Sequence, residues 1–308
     1  MKVNRVIGKY RGEKEGPLVV VTAGVHGNEP SGVEALQRVF LELERTKPKM
    51  AGKIIGIAGN VAALKKNVRF IDEDLNRTWT KEKLAKTQHQ THEEREMQEI
   101  IEVIEKFSSK NPPLQTAHSP RRYFLDCHST SSESLPYISV QDVGENNTWA
   151  HRFPVYIVKG FSDIVHGSID HYFSDQGMTG FAFEAGQHAD ENTSRYHEAL
   201  IWSVLKEANN LSLEELNCYP ECVAIFEKNP RIAQKTFDII YRHGIVKKDH
   251  FVMKPGFDNF QKITKGELLA VQNGEEIRST WDTEIFMPLY QPQGDDGFFV
   301  VKEVAEKA

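Results

Sequence analysis

The chain has 308 residues, 39% of them hydrophobic and 27% charged, which is the composition of a globular protein rather than a disordered or fibrous one. The formal net charge of −6, without a clustered basic segment, excludes a general nucleic-acid binder. No apolar run is long enough to span a bilayer and the N-terminal segment has no signal-peptide core, so we expect no membrane partner and a cytoplasmic location.

Short apolar runs alternate with helical patterns over the first two hundred residues. Residues 17–24 predict a strand buried on both faces, residues 33–45 place apolar side chains at helical spacing, and residues 52–59 predict a second buried strand. This order is typical of a parallel sheet covered by helices. Further along, the pattern predicts a helix over 91–107 that is ended by Pro112 and Pro113, strands over 122–127 and 178–184, and a helix over 194–209.

The pattern changes beyond about Leu211 to short apolar runs punctuated by glycine and proline. These runs predict strands over residues 236–245, 266–274, 283–290 and 297–304. We therefore expect an α/β domain over residues 1–210 and a smaller, β-rich C-terminal domain over residues 211–308.

The three cysteines, Cys127, Cys218 and Cys222, are too few and odd in number for a disulfide framework. Cys218 and Cys222 could form half of a metal site, but no second Cys/His pair of matching spacing accompanies them. We interpret both as ordinary loop or core thiols.

His26 and Glu29 lie in V-H-G-N-E-P, between the first predicted strand and the first predicted helix, where open α/β sheets place their ligand sites. Two histidines and one glutamate are a known ligand set of hydrolytic zinc, whose fourth position is left to water. The alternative is that Glu29 only starts the helix, where the helix dipole favours a carboxylate. The short spacing alone favours that alternative.

A third ligand is supplied by His128, which follows an apolar strand in D-C-H-S. Asp126 and Ser129, beside it, could orient the metal site. A single histidine at a strand end is more often structural than catalytic. The occurrence of all the matching fragments in one order favours the metal site.

The segment from Arg69 to Arg77, R-F-I-D-E-D-L-N-R, is dense in groups that could bind a small anionic substrate. Arginine offers bidentate hydrogen bonds to a carboxylate, and Asn76 can add a directed one. A solvated loop of alternating charge is the alternative, but it does not explain the apolar residues of the segment.

Glu184 ends an otherwise apolar strand in G-F-A-F-E-A-G. Desolvation there would raise its pKa toward the range useful for a general base. A buried salt bridge to an arginine is an equally supported role for this carboxylate.

Taken together, the fragments H-G-N-E, D-L-N-R, D-C-H-S and F-E-A-G resemble the succinylglutamate desuccinylase/aspartoacylase family, which is related to the zinc carboxypeptidases. The resemblance implies a carboxypeptidase-like central mixed sheet flanked by helices, followed by a smaller β domain that narrows the active-site mouth. One departure is Cys127, where the family often has leucine; strand alternation places its side chain away from the metal.

The resemblance also implies roles for individual residues. One zinc ion (Zn2+) per chain would be bound by His26, Glu29 and His128; Asn76 and Arg77 would bind the substrate carboxylate, Arg69 would polarise the scissile carbonyl, and Glu184 would act as general base and acid. Tyr290 is the candidate for a substrate-contacting tyrosine of the C-terminal domain, but the segment around it departs from the aspartoacylase pattern. A buried strand position is the alternative for Tyr290.

The expected function is that of a zinc-dependent amidohydrolase, which removes the acyl group from a small N-acetyl or N-succinyl amino acid by means of metal-activated water. One alternative is a metallocarboxypeptidase acting on peptides, since the ligand pattern is shared. Another is a non-catalytic zinc-dependent binding protein, which would have no need of Glu184. The sequence leaves open the acyl group, the amino acid and the assembly, for which a homodimer is the commonest choice.

Overall fold

The structure is a computed structural model that describes residues 3–108, 120–161, 164–218, 221, 224–226, 232, 234–246 and 248–305. Pro112, Pro113 and Cys222 lie outside these ranges. Within them, no helix combines the length and the apolar character that a bilayer span requires.

The secondary structure alternates strands and helices in the first two thirds of the chain and continues as strands. The strands are β1 Val6–Arg11, β2 Lys14–Ala23, β3 Ala51–Ala58, β4 Arg122–Thr130, β5 Tyr137–Val140, β6 Tyr156–Lys159, β7 Thr179–Gln187, β8 Thr236–Gly244, β9 Phe251–Met253, β10 Gln261–Ile263, β11 Leu268–Gln272, β12 Glu275–Arg278, β13 Thr283–Phe286 and β14 Asp296–Val304. The helices are α1 Ser31–Thr46, α2 Val61–Lys66, α3 Lys81–Leu84, α4 His92–Ser108, α5 Asn146–Ala150, α6 Ile169–Asp175 and α7 Thr193–Asn209.

A large mixed sheet organises the described residues, with the strand order β1-β3-β2-β4-β7-β5-β6-β8-β14-β13-β10. The strands β3, β2, β4 and β7 run parallel to one another, whereas β1 and β5 pair antiparallel with β3 and β7. Consecutive parallel strands deliver their C-terminal ends to one edge of the sheet. The predicted mixed α/β class is confirmed.

Both faces of the central strands are covered, which explains their uninterrupted apolar sequence. Val21 and Leu125 pack in one core cluster with residues of α1 and α7. Val20 and Phe124, their neighbours in sequence, pack in a second cluster with residues of α4 and α6. Alternate side chains of one strand therefore enter two different cores.

The C-terminal strands extend the central sheet and also fold back on it. β8, β14, β13 and β10 continue the large sheet beyond β6, and β12, β11 and β9 form a separate three-stranded sheet. Side chains such as Leu269, Ile285 and Phe298 form a core within this region. The β-rich character of the region is confirmed, and the division into two domains near Leu211 stays a prediction.

Three strand ends differ from the predicted ones in ways that matter for the site. β4 continues to Thr130 and β7 to Gln187, so His128 and Glu184 lie within strands. β13 ends at Phe286, because Met287 adopts a positive φ of 48° and Pro288 cannot donate to a ladder. Tyr290 therefore lies outside a strand, and the predicted strand over 283–290 is four residues too long.

Candidate active site

A tight loop after β2 places His26 and Glu29 side by side. Gly24 adopts a positive φ of 68°, which favours glycine. A Cβ on Gly27 would lie 2.1 Å from the carbonyl carbon of Ala63, so the loop can approach α2 only with glycine there. The backbone N–H of Glu29 donates to the carbonyl of His26 at 3.1 Å, which closes the turn just before α1.

Three buried side chains converge beyond the ends of β2 and β4. His26 Nδ1 lies 2.7 Å from Glu29 Oε1, and His128 Nδ1 lies 3.2 Å from Glu29 Oε2. Each residue offers one potential metal-ligand atom, a ring nitrogen or a carboxylate oxygen, and these three atoms lie within 4.8 Å of one another. Among the described residues, this is the group of histidine and carboxylate side chains that could hold a metal ion. The two imidazoles and one carboxylate match the ligand set of hydrolytic zinc.

Two aspartates orient the histidines from the far side of each ring. His26 Nε2 lies 3.2 Å from Asp74 Oδ1, and His128 Nε2 lies 2.7 Å from Asp126 Oδ2. Thr22 in turn donates to the other oxygen of Asp126 at 2.6 Å. Such outer carboxylates fix the ring orientation and raise the basicity of the nitrogen that faces the ion. The proposed orienting role of Asp126 thus has a direct contact behind it.

Charge balance in this cluster comes from mutual pairing. Burial alone would raise the pKa of Glu29, but His26 and His128 hold it well below its usual range. Burial alone would lower the pKa of His128, but Asp126 and Glu29 raise it well above its usual value. A metal ion bound here would have to displace a proton from His128, because histidine ligates in its neutral form.

Glu184 faces the cluster from the neighbouring strand. His128 and Glu184 are register partners in the parallel β4–β7 pair, so their side chains share a face of the sheet. Burial is the main cause that raises the pKa of Glu184 to about 8. Its Oε2 is buried without a hydrogen-bond partner in the described part of the chain, and no ion pair of Glu184 is found there. A general base suits this geometry better than a structural salt bridge.

Arg69 lies between the carboxylate of Asp74 and the group of His26, Glu29 and His128, which we call the metal-type cluster. Its Nη2 donates to Asp74 Oδ2 at 2.9 Å, and its Nη1 lies 3.7 Å from Glu29 Oε1. Asp74 thereby orients both Arg69 and His26, a role that the sequence analysis did not assign. The sequence feature that could have indicated this role is the position of Asp74 as the first residue of the D-L-N-R fragment.

Asn76 and Arg77 line the same cleft but already have protein partners. Asn76 Oδ1 accepts from the backbone N–H of Ile169 at 2.9 Å, which directs its amide NH₂ group away from that backbone. Arg77 Nη2 donates to Asp296 Oδ2 at 2.9 Å. Asp296 also accepts from Arg242 Nε at 2.5 Å. A substrate carboxylate would therefore share or replace the Asp296 contact of Arg77.

Tyr290 does not reach the cleft in this structure. Its hydroxyl donates to the Lys254 carbonyl at 2.9 Å and accepts from the Phe257 N–H at 3.0 Å, and the residue is 39% exposed. It is neither a cleft-lining residue nor a buried strand residue. The neighbouring residues of its segment line the cleft instead, among them Met287, Leu289, Gln291, Gly294, Asp295 and Asp296.

Tyr137 is one of the cleft residues that the sequence analysis missed. It is the register partner of Glu184 in the antiparallel β5–β7 pair and is fully buried. Tyr137 lines the cleft, and its hydroxyl is buried without a hydrogen-bond partner among the described residues. Burial and the nearby Glu184 raise the pKa of this hydroxyl well above its usual value, so it remains a donor. Nothing in the local segment S-L-P-Y-I-S-V distinguishes it.

The cleft has two arms that meet at His26, Arg69 and Glu184. The first arm is lined by Ser129–Ser132 and by the segment from Met287 to Asp296. The second arm spans about 620 Å³, part of which is open solvent at its mouth. It is lined by Asn76, Arg77, Tyr137, Ser139, Gln141, Ser168 and Asp170.

Comparisons with known proteins agree with this architecture. The family model of the succinylglutamate desuccinylase/aspartoacylase catalytic domain matches residues 15–207. A succinylglutamate desuccinylase from Pseudoalteromonas atlantica is 25% identical over 293 residues, which cover 88% of this chain and 76% of that protein. A succinylglutamate desuccinylase/aspartoacylase structure from Rhodobacter sphaeroides superposes with a TM-score of 0.67 at 16% identity, covering 97% of this chain and 88% of that one. Murine aminoacylase 3 gives a TM-score of 0.63 at 17% identity, with 95% and 97% covered. The structural matches show a shared fold.

Proposed function

Because the chain belongs to the succinylglutamate desuccinylase/aspartoacylase family, we propose that it is a zinc-dependent amidohydrolase that removes the acyl group from a small N-acyl amino acid. The observation that supports this most directly is the convergence of His26, Glu29 and His128 beside the unpartnered carboxylate oxygen of Glu184. A metal-binding group and a general base are the two components that amide hydrolysis of this type requires.

The residues present fit a zinc ion. His26, Glu29 and His128 would hold it, and Asp74 and Asp126 would keep the two imidazole rings in the orientation that binding needs. When bound, zinc supplies Lewis acidity for the scissile carbonyl and lowers the pKa of water toward neutrality.

The protein residues would divide the remaining work. Glu184 takes a proton from the attacking water and returns it to the leaving amine nitrogen, as its raised pKa allows. Arg69 donates to the carbonyl oxygen as negative charge develops there, and Asp74 holds the guanidinium in place. Tyr137, which lines the cleft, offers a second donor, since its hydroxyl has no partner in the described residues. Asn76 and Arg77 bind the substrate carboxylate.

The C-terminal region restricts what can enter, which favours a deacylase over a peptidase. Gln293 Oε1 accepts from the backbone N–H of Arg69 at 3.1 Å, and Asn28 donates to Gln291 Oε1 at 2.9 Å. These bonds tie the segment from Met287 to Asp296 to the loops that position the catalytic groups. We expect this segment to limit the room for a peptide that continues past the acyl group.

The proposed function is tested with a panel of N-acetyl and N-succinyl amino acids and a blocked tripeptide, each incubated with the zinc-loaded protein and with a chelator-treated control. We expect hydrolysis of one or more acyl amino acids, no cleavage of the tripeptide, and no activity after chelation. Faster cleavage of the tripeptide would support the metallocarboxypeptidase instead. A protein that binds one zinc ion but hydrolyses nothing would be a binding protein.

Substitution of Arg77 by glutamine should raise KM about 10- to 100-fold with a smaller effect on kcat. The reason is that a hydrogen bond to a charged carboxylate contributes about 1.5–3 kcal/mol, and the proposed contact is made in the ground state as well as in the transition state. Steady-state kinetics measures both constants. Arg278→Gln, which changes an exposed arginine paired with Glu276, is the matched control. An unchanged KM in the Arg77 variant would remove Arg77 from substrate binding.

A further inference from the structure

One polar pocket at the end of the second arm is not used by the proposed mechanism. We call it the β5 pocket and define it by Tyr137, Ser139, Gln141, Ser168 and Asp170. Tyr137, Ser139 and Gln141 are two residues apart along β5 and its continuation, so their side chains point to the same side. Ser168 and Asp170 lie at the start of α6.

Asp170 is a buried carboxylate without a cation beside it. It is 4% exposed, and Gln141 Nε2 donates to its Oδ2 at 2.7 Å. The arginines that line this arm are engaged elsewhere, Arg69 with Asp74 and Arg77 with Asp296. No ion pair of Asp170 is found in the described part of the chain. Asp170 also lies in the first turn of α6, where the helix dipole favours a carboxylate, and a positively charged ligand would add the ionic partner that the described side chains of the arm do not supply.

The other pocket atoms favour a ligand that carries hydrogen-bond donors. Gln141 Oε1 is buried and has no partner among the described residues, so it adds an unused acceptor beside the Asp170 carboxylate. Ser168 Oγ is buried and also without a partner in the same part of the chain, and a hydroxyl can accept as well as donate. An ammonium group can donate to all three of these side chains.

The pocket and the proposed carboxylate site serve the same half of the substrate. Asn76 and Arg77 line the second arm together with Asp170, whereas Ser129–Ser132 and Leu289 line only the first. A molecule whose carboxylate is held by Arg77 would therefore direct its amino-acid side chain, rather than its acyl group, toward the β5 pocket.

We propose, on the basis of the function proposed above, that the β5 pocket binds a cationic side chain, so that the preferred substrate is an N-acyl derivative of a basic amino acid. A glutamate side chain would bring a second carboxylate against Asp170 and would be disfavoured by like charge. Arg69 and Arg77 are assigned to the scissile carbonyl and to the first carboxylate, so no further lysine or arginine in the described lining of the arm remains for a second carboxylate.

The test compares kcat/KM for Nα-acetyl-lysine, Nα-acetyl-norleucine and N-acetylglutamate in the wild type, Asp170→Asn and Asp175→Asn. Asp175 is the matched control because it is exposed on the same helix. We expect kcat/KM for Nα-acetyl-lysine to exceed that for Nα-acetyl-norleucine by about tenfold or more in the wild type and in the control. In Asp170→Asn this ratio should fall about tenfold, because the substitution removes a charge-assisted hydrogen bond. The ratio is measured within each protein, so a partly folded variant does not distort it.

Calorimetry of the free products L-lysine, L-norleucine and L-glutamate provides a readout that does not require turnover. Tighter binding of L-lysine than of L-norleucine, lost in Asp170→Asn, supports the pocket even if no acylated substrate is hydrolysed, in which case the proposed function alone fails. Hydrolysis of N-acetylglutamate faster than the lysine derivative by the wild type overturns the pocket assignment and leaves the proposed function intact. An unchanged ratio of kcat/KM for the lysine and norleucine derivatives in Asp170→Asn also overturns the pocket assignment.

Discussion

Glu184→Gln is expected to lower kcat by about 10²- to 10⁴-fold, the range attributed to a positioned general base, with little change in metal content. Glutamine has almost the same shape but cannot accept a proton at the unpartnered oxygen position. The metal-type cluster is built from other residues, so zinc binding should survive. Loss of kcat without loss of metal separates a base from a ligand.

The measurement combines single-substrate kinetics with metal analysis of the purified proteins. Glu191→Gln is the control, since Glu191 is exposed shortly after the same strand and should behave as the wild type. If Glu184→Gln retained near-wild-type turnover, the base would have to be sought elsewhere in the cleft. If it lost zinc together with activity, Glu184 would be a ligand.

The same variant has an expected signature in the pH dependence of stability. In the metal-free protein, burial raises the pKa of Glu184 to about 8, above its value in the unfolded chain, so the folded state holds this proton more tightly. The resulting stabilisation is complete below the unfolded pKa and is lost as the pH rises through about 8. Glutamine does not titrate. The stability of Glu184→Gln relative to the wild type should therefore increase between pH 5 and pH 9 in thermal unfolding experiments.

His128→Ala should abolish both zinc binding and turnover. It removes one of the three proposed ligands and leaves Asp126 buried without the ring that it contacts at 2.7 Å. A site with two ligands and no orienting network binds zinc far more weakly. The wild type should be stabilised by about 2.7 kcal/mol when free zinc is 100-fold above its Kd, whereas the variant should show no such shift.

Metal analysis, thermal unfolding with and without zinc, and activity are measured on the same preparations. His250→Ala is the control because this histidine is exposed and far along the chain from the cluster. Its zinc-induced shift should equal that of the wild type. Retention of one zinc ion with wild-type affinity by His128→Ala would show that the cluster is not the metal site.

The sequence by itself determined the elements whose pattern is long and regular. β2, β3, α1, α4 and α7 were predicted within a few residues of their ends, because a strand covered on both faces and a one-sided helix each impose a period on the sequence. β5 and β6 were not predicted. Each has four residues, too few for a period to be distinguished from chance.

The loop from Gly24 to Glu29 was also determined locally, since two glycines permit the turn that brings an imidazole and a carboxylate together. His128 and Glu184 were identified by their fragments, but their proximity depends on β4 lying between β2 and β7. Strand order is fixed by packing between distant segments, and a single sequence holds no local record of it.

Only the tertiary structure decided which further side chains share the cleft. Tyr137 lies opposite Glu184 because β5 runs antiparallel to β7, Asp296 reaches Arg77 because β14 joins the sheet, and Tyr290 turns to Lys254 because β13 ends early. Asp170 likewise reaches the cleft only through the tertiary structure, which brings its carboxylate to Gln141. The sequence was therefore sufficient to select His26, Glu29 and His128 as candidate ligands, because each lies in a short local motif, and the tertiary structure brings the three side chains together. The shape and charge of the pocket that would select the substrate arise from contacts across the fold.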